Sequence, residues 1–206
     1  VSVICSDKTG TLTQNKMTAI DIYTNKKIVS VNDMDHHQYN HCLMLKAFAL
    51  CNNATINNNQ QVGDPTELAL LNLYHDYTIK HPFKLIAKRQ LELPFDSTRK
   101  LMSVSSKNHL YTKGAPDVLL QRCNRILVDG YKEILSEIER RRILKQNEDF
   151  AKKGLRVIAV AYKEFYKNTL DVRDETDLIF VGLVSLIDPP RKESKEPVKN
   201  CLIAGI

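Results

Sequence analysis

The sequence predicts an α+β fold, an antiparallel sheet flanked by helices, and three observations predict it. Runs rich in β-branched and aromatic residues follow one another across short polar turns, at Asn25-Lys26-Lys27 and Ser106-Lys107-Asn108, as hairpins do. Stretches with helical spacing of apolar residues stand between them, at about 35–53, 64–75 and 133–153. With 206 residues, 43% of them hydrophobic and 26% charged, the chain can bury one good core, or one core and part of another.

The elements follow in order. Val1-Ser2-Val3-Ile4-Cys5 is a short apolar run that reads as a buried strand. Residues 17–31 are strand material folded at Asn25-Lys26-Lys27. In the helical stretch 35–53, Cys42, Leu45, Ala49 and Leu50 can share a face, and the Asn-rich run 52–61 reads as a loop. Asp64-Pro65-Thr66-Glu67 then starts a helix, with Asp64 as N-cap, Pro65 in the first turn and Glu67 at the third position of a capping box. Leu68, Leu71 and Tyr74 or His75 run down its side. Residues 83–95 alternate like a strand, and 101–105 with 110–112 form a hairpin. Gly114-Ala115-Pro116-Asp117 stops that strand and opens a helix, with proline suited to its first turn. A long amphipathic helix at 133–153 is closed by Gly154. Strands at 155–165 and 178–187 flank a polar loop, and a last helix starts after Asp188-Pro189-Pro190-Arg191.

Composition narrows the function classes. The longest apolar stretch, 178–187, is broken by Gly182 and Ser185 and falls short of the roughly 20 residues of a membrane helix. The first residues form a strand pattern and not a basic, apolar leader, so a soluble piece is expected. Five widely spaced cysteines, mostly among apolar neighbours, suit reduced buried thiols in a cytosolic setting. The net charge of +6 leaves room for a nucleic-acid partner, but the basic residues are spread out except at Arg140-Arg141-Arg142, which reads as a solvated helix face. An anionic small molecule such as a nucleotide explains the excess equally well.

Asp7-Lys8-Thr9-Gly10-Thr11-Leu12-Thr13, right after the first apolar run, carries the most chemical information. Ligands of α/β folds bind at the carboxyl ends of strands, and a carboxylate there can attack a phosphoryl group to form an aspartyl phosphate. Gly10 permits a tight turn, nearby amides and threonine hydroxyls can hold phosphate oxygens, and Lys8 supplies a compact positive charge. A plain turn has the same residue types, but seven such residues in a row at a strand end argue against it. In these residues the chain resembles the P-type ATPases, cation pumps that phosphorylate themselves on the Asp of this motif.

The resemblance implies a nucleotide-binding domain inserted into a phosphorylation domain of the haloacid dehalogenase type, an α/β Rossmann-like fold. Residues 1–16 and 188–206 would then belong to the phosphorylation domain, with Asp188-Pro189-Pro190-Arg191 as the return hinge, and 17–187 would be the nucleotide-binding domain. It also implies ATP and Mg²⁺ as cofactors, with Asp7 as nucleophile, Lys8 beside the transferring group, and Asp7 and Thr9 at the metal. Glu67 matches the acid that faces adenine, Phe95 the ring that stacks on it, and Lys100 the pocket lysine, all within segments similar to the family's. Ser97 stands where some pumps carry Arg and others Ser. Lys113 and Gly114 match the Lys-Gly segment at the floor of the ATP pocket, and Arg156 the arginine that bonds phosphates or ribose. On residue type alone, the Pro94–Ser103 segment already places an aromatic ring beside a polar, cationic run, where it can stack on a base.

The pumps' Thr-Gly-Asp and Gly-Asp-Gly-x-x-Asn-Asp segments, their membrane helices and their actuator domain have no match here, so the expected partner is the remainder of the same polypeptide. The expectation is a fragment from the cytoplasmic face of a membrane protein that binds ATP or ADP without efficient turnover. The Lys113 segment and the Asp-Pro-Pro-Arg hinge look closest to the calcium-pump branch. Two alternatives compete. A haloacid dehalogenase-type phosphatase would carry a second Asp two residues after the nucleophile, where this chain has Thr9. A nucleic-acid-binding module rests on charge alone. His36, His37 and His41, with Cys42, include an i, i+4 pair that can bind zinc on a helix, but a surface histidine cluster is the better reading.

Overall fold

The computed structural model describes residues 1–57, 60–81 and 88–205, the side chain of Thr9 excepted. After a π-helical turn at Lys8–Leu12 come β1 (Thr18–Thr24), β2 (Lys27–Ser30), α1 (Tyr39–Leu50), β3 (Thr55–Asn57), β4 (Gln60–Val62) and α2 (Pro65–Lys80). Then follow β5 (Leu91–Asp96), β6 (Leu101–Ser106), β7 (His109–Gly114), α3 (Pro116–Gln121), β8 (Cys123–Val128) and β9 (Tyr131–Ile134). The chain continues through α4 (Glu137–Lys152), β10 (Arg156–Glu164), β11 (Leu178–Ile187) and α5 (Lys195–Ile203). Among the described residues no helix is long and apolar enough to cross a membrane.

The expected α+β architecture is present. Seven strands run in the order β2-β1-β11-β10-β7-β6-β5, every neighbouring pair antiparallel. The β8–β9 hairpin joins the same sheet, because β1 pairs with only the second half of β11 and β8 lies parallel against its first three residues. Helices α1 and α2 cover one face and α3 and α4 the other. Both faces of β11 are therefore buried, which is why its sequence is continuously apolar and not alternating. Leu178, Phe180 and Leu183 enter the core under α3 and α4, while Ile179, Val181, Val184 and Leu186 enter the one under α1 and α2. The parity changes at Gly182, where the β10–β11 register shifts by one residue. A Cβ at Gly182 would lie 2.6 Å from the carbonyl oxygen of Tyr23 and 2.9 Å from the sulfur of Met44, so its absence lets β1 and α1 close on the strand.

Several elements differ from the sequence expectations. Residues 1–6 form no strand and lie exposed, because no described strand flanks them to pair with their backbone. Helix α1 begins at Tyr39, and Leu43, Met44, Ala47 and Phe48 are buried together with Leu45 and Leu50, so it packs on more than one face. The Asn-rich run carries the β3–β4 hairpin instead of an open loop, with residues 58 and 59 outside the described residues. The buried stripe of α2 is Thr66, Ala69, Leu70 and Tyr77, one register off the expected side, because Leu70 and not Leu71 faces the sheet core. Of the strand expected at 83–95, residues 83–87 lie outside the described residues and the rest forms β5 from Leu91. The β8–β9 hairpin was not anticipated, and it takes the first residues assigned to the long helix, which starts at its Ser136 cap. That helix does end at Gly154. Of the cysteines, Cys51 and Cys123 are buried, Cys42 and Cys201 are half-buried and Cys5 is exposed, so the expected burial holds for part of the set. Burial pushes the Cys51 thiol up to about 12 and raises that of Cys123 too, the setting of structural, unreactive thiols.

Candidate functional site

Two places in the molecule gather the residues the sequence singled out. The first is a cavity of about 310 Å³ between the start of α2, the ends of β5 and β7, and the start of β10. Its lining includes Glu67, Phe95, Lys113, Gly114 and Arg156, together with Asp64, Thr66 and Asn53. Leu70 and Ile158 supply apolar wall. Two other clefts, of about 390 and 400 Å³, hold none of the residues expected at a nucleotide.

Local sequence explains how each side chain arrives there. The Asp64 carboxylate accepts from the amide of Thr66 at 2.8 Å, a helix cap that fixes the first turn of α2 at the cavity. Asn52, buried at the end of α1, donates to the carbonyls of Phe48 and Glu67 and so clamps the two helices together. Glu67 does not close a capping box. Its Oε1 accepts from Lys113 Nζ at 2.7 Å and its Oε2 from the amide of Asn53 at 3.0 Å. The capping reading of Glu67 fails because a cation 46 residues away in sequence competes for the carboxylate. Lys113, on β7, is 7% exposed, so this ion pair is largely screened from water.

Gly114 lines the cavity, but a second demand also fixes it. A Cβ there would stand 2.3 Å from the carbonyl oxygen of Lys100. Arg156, at the start of β10, donates to Thr66 Oγ1 at 2.6 Å and is thereby held across the α2 N-terminus. Phe95 is 56% exposed although it is a strand residue, and it lines the cavity. Ser97 and Lys100 do not line the cavity. Both are exposed on the turn from β5 to β6, where the Lys100 backbone has φ +56° and its carbonyl accepts from Ala115.

The second place is the loop after Asp7. Its turn is held against the Asp188–Ser194 segment: Thr13 bridges Pro190, Gln14 donates to the Pro189 carbonyl and Arg191 to that of Leu12. Asp188 is the anchor, accepting from Thr13 Oγ1 at 2.5 Å and from the Lys16 amide at 3.2 Å. The Arg191 guanidinium donates to the carbonyls of Thr13 and Gly10. Asp7 and Lys8 are exposed and line none of the three cavities above. The expected role of Thr9 falls on a side chain outside the described residues.

Sequence reasoning gave no site role to Asn53 or Thr66, and Arg191 entered only as part of the Asp188-Pro189-Pro190-Arg191 hinge. A threonine after a capped proline and an asparagine in an Asn-rich run carry no distinguishing local signal. The histidine reading changes. His37 and His41 do not form a helical pair, since α1 starts only at Tyr39, and His41 is buried with its Nδ1 accepting from the Asp35 amide. The His36 and His37 rings lie 4.0 Å apart, tilted by 37°, beside Asp35, and these three are the group whose donor atoms converge among the described residues. In the arginine triplet, Arg140 bonds the carbonyls of Leu120 and Cys123, and Arg142 pairs with Glu139 at 2.6 Å.

Comparison with known proteins adds a family. A family profile described as "P-type ATPase, cytoplasmic domain N" matches residues 41–193. The chain is 43% identical over 217 residues to "Calcium-transporting ATPase 1" of Bacillus cereus and 40% identical over 219 residues to the protein of that name from Lactococcus lactis. A "Sodium/potassium-transporting ATPase subunit alpha" of Hydra vulgaris is 32% identical over 241 residues. Each alignment takes in all of this chain and 24, 24 and 23% of the relative, so the chain spans about a quarter of their length.

Proposed function

The chain belongs to the family of the P-type ATPase cytoplasmic domain N, and from that premise we propose that it is the ATP-binding headpiece of a cation-transporting P-type ATPase. Residues 17–187 are the nucleotide-binding domain in this reading, with 1–16 as the start of a haloacid dehalogenase-like phosphorylation domain and 188–206 as the hinge and return into it. One observation carries the reading: five residues from four separate segments, Glu67, Phe95, Lys113 with Gly114, and Arg156, line one cavity. Convergence of aromatic, cationic and acidic groups on a partly apolar cleft suits a flat base joined to an anionic tail.

In this reading the Phe95 ring stacks on adenine, Lys113 and Arg156 face the anionic part of the nucleotide, and Ser97 and Lys100 make outer contacts from the neighbouring turn. Each Glu67 oxygen accepts one hydrogen bond, from Lys113 and from the Asn53 amide. Each oxygen keeps a second lone pair, so Glu67 can accept from the adenine amino group while it holds Lys113 and the Asn53 amide. Asp7 is the phosphoryl acceptor of the whole pump, with Lys8 offsetting charge. The pumps of this family use Mg²⁺, which supplies charge neutralisation on the phosphates when bound. The residues around Asp7 do not make up a Mg²⁺ site by themselves, since Asp7 belongs to no convergent acidic or histidine group among the described residues. The chain accordingly binds nucleotide without efficient turnover in this reading. The names of the 43 and 40% identical relatives favour Ca²⁺ as the transported ion.

Calorimetric titration with ATP, with and without Mg²⁺, tests the reading. Saturable binding that Phe95→Ala and Lys113→Ala each weaken is the expected result. A folded wild-type chain that takes up no ATP would overturn it. Recovery of an acyl phosphate on Asp7 after incubation with Mg-ATP would overturn the absence of turnover.

A further inference from the structure

The end of β5 is bulged, and one arginine holds the bulge in place. Leu93 pairs with Ser103 and Asp96 with Leu101, so Pro94 and Phe95 together stand opposite the single residue Met102. A bulge of this kind re-aims the neighbouring side chain, and proline is tolerated in it on an edge strand, as β5 is among the described residues. An edge strand has no outer neighbour to steady such a kink.

Arg99 supplies the support instead. Its Nη2 donates to the Pro94 carbonyl and its Nη1 to Glu175 Oε1, each at 2.5 Å. Glu175 arrives from the distant connection between β10 and β11 and is fully buried. The same Oε1 accepts from Ser103 Oγ at 2.5 Å, and Ser103 lies 2.8 Å from Thr112 Oγ1, one residue before Lys113. On the other side of Phe95, the Asp96 carboxylate accepts from the Arg99 amide at 2.7 Å. Both chain neighbours of Phe95 are thus bonded to Arg99. A buried ion pair contributes little stability that apolar side chains could not supply, while a planar fork fixes two acceptors at a set angle.

We propose that Arg99, through Glu175 and the Pro94 carbonyl, is a positioning residue that holds the Phe95 ring at the cavity in the attitude that stacks on a flat heteroaromatic base. The identity of the base rests on the nucleotide reading of the cavity; the ordering of Phe95 does not.

The chain has no tryptophan, so Phe95→Trp places its single indole at the site, excited apart from the tyrosines. In that background, Arg99→Met with Glu175→Leu replaces both charges by apolar groups, the exchange that best keeps stability. Arg99→Lys keeps the charge and loses the fork. Thermal melting, acrylamide quenching, anisotropy and ATP affinity are measured for each. The double variant is expected to melt near its parent, to show a more mobile and more quenched indole without nucleotide, and to bind ATP about tenfold more weakly. The lysine variant moves the same readouts less. Unchanged quenching and anisotropy in a folded double variant would leave the pair purely structural and overturn the proposal. Where the double variant fails to fold, the lysine variant decides on the same two readouts. A wild-type chain that binds no ATP refutes the choice of ligand, while the order of the indole without ATP still decides the role of Arg99.

Discussion

The body of the molecule and its two arms contain the same kinds of sequence and end in different states. In the body, apolar runs pair edge to edge and pack under helices, so Leu178, Leu183, Val184 and Leu186 are fully buried. In the arms, Val1, Val3 and Ile4 at one end and Val198, Leu202 and Ile203 at the other remain exposed. The arms meet each other through backbone and polar bonds around Asp188 and Arg191, not through a core. An apolar pattern is buried only where a surface exists to cover it: residues 1–6 form no strand, while α5 forms by its local bonds and leaves its apolar residues exposed. The cavity inherits its order from the sheet, whereas the Asp7 loop depends on a few hydrogen bonds.

The sharpest break of this comparison is at Lys113. Removing it in Lys113→Ala leaves the Glu67 carboxylate half-buried without its cation, and a stability loss of about 1–3 kcal/mol is expected. Urea unfolding measures it, and a midpoint equal to wild type would mean that the pair is not formed in solution. Phe95→Ala follows: a loss of about 1–3 kcal/mol in nucleotide binding, with the unfolding midpoint held, since more than half of the residue is exposed. A matching loss of stability would show that the ring is core and not a platform.

Asp188→Asn tests the arms. It weakens the acceptor shared by Thr13 and Lys16, at a cost of about 1 kcal/mol. Hydrogen exchange should quicken over residues 8–16 and stay unchanged in the sheet; uniform quickening would deny that the two regions are separate. His41 sharpens the picture of the body through pH. Burial lowers its pKa below the usual histidine value, with the Asp35 interactions acting against that shift. The unfolded chain then binds a proton that the folded one refuses, so stability is full above about pH 6.5 and falls as pH drops towards the folded-state pKa. Melting temperatures between about pH 7.5 and 5 should decline, and His41→Gln should flatten the slope; an equal slope in the variant would assign the decline to other groups. Smallest of all, Asp7→Asn should leave ATP affinity of this chain within about 0.5 kcal/mol of wild type, because Asp7 is not among the residues lining the cavity. A larger change would join the two regions into one site.

Much of the body was legible before the structure. The hairpin at residues 107 and 108, the proline start of α3 and the Gly154 stop of α4 each rest on residues with a fixed backbone preference. The cavity side chains were legible as candidates through the family resemblance, segment by segment. Their mutual contacts were not, because pairing of Glu67 with Lys113, of Arg156 with Thr66 and of Arg99 with Glu175 joins residues 46, 90 and 76 apart in sequence.

By itself, then, the sequence determined the local chemistry: which residues cap, turn, alternate or carry charge, and that Asp7 to Thr13 has the composition of a phosphoryl-acceptor loop. Tertiary structure decided which of those residues meet. The Glu67 carboxylate took a lysine in place of its own helix amides because a buried cation within 2.7 Å outweighs a local cap. The run Val1 to Cys5 remained exposed because strand propensity without a neighbouring strand leaves every backbone group to water.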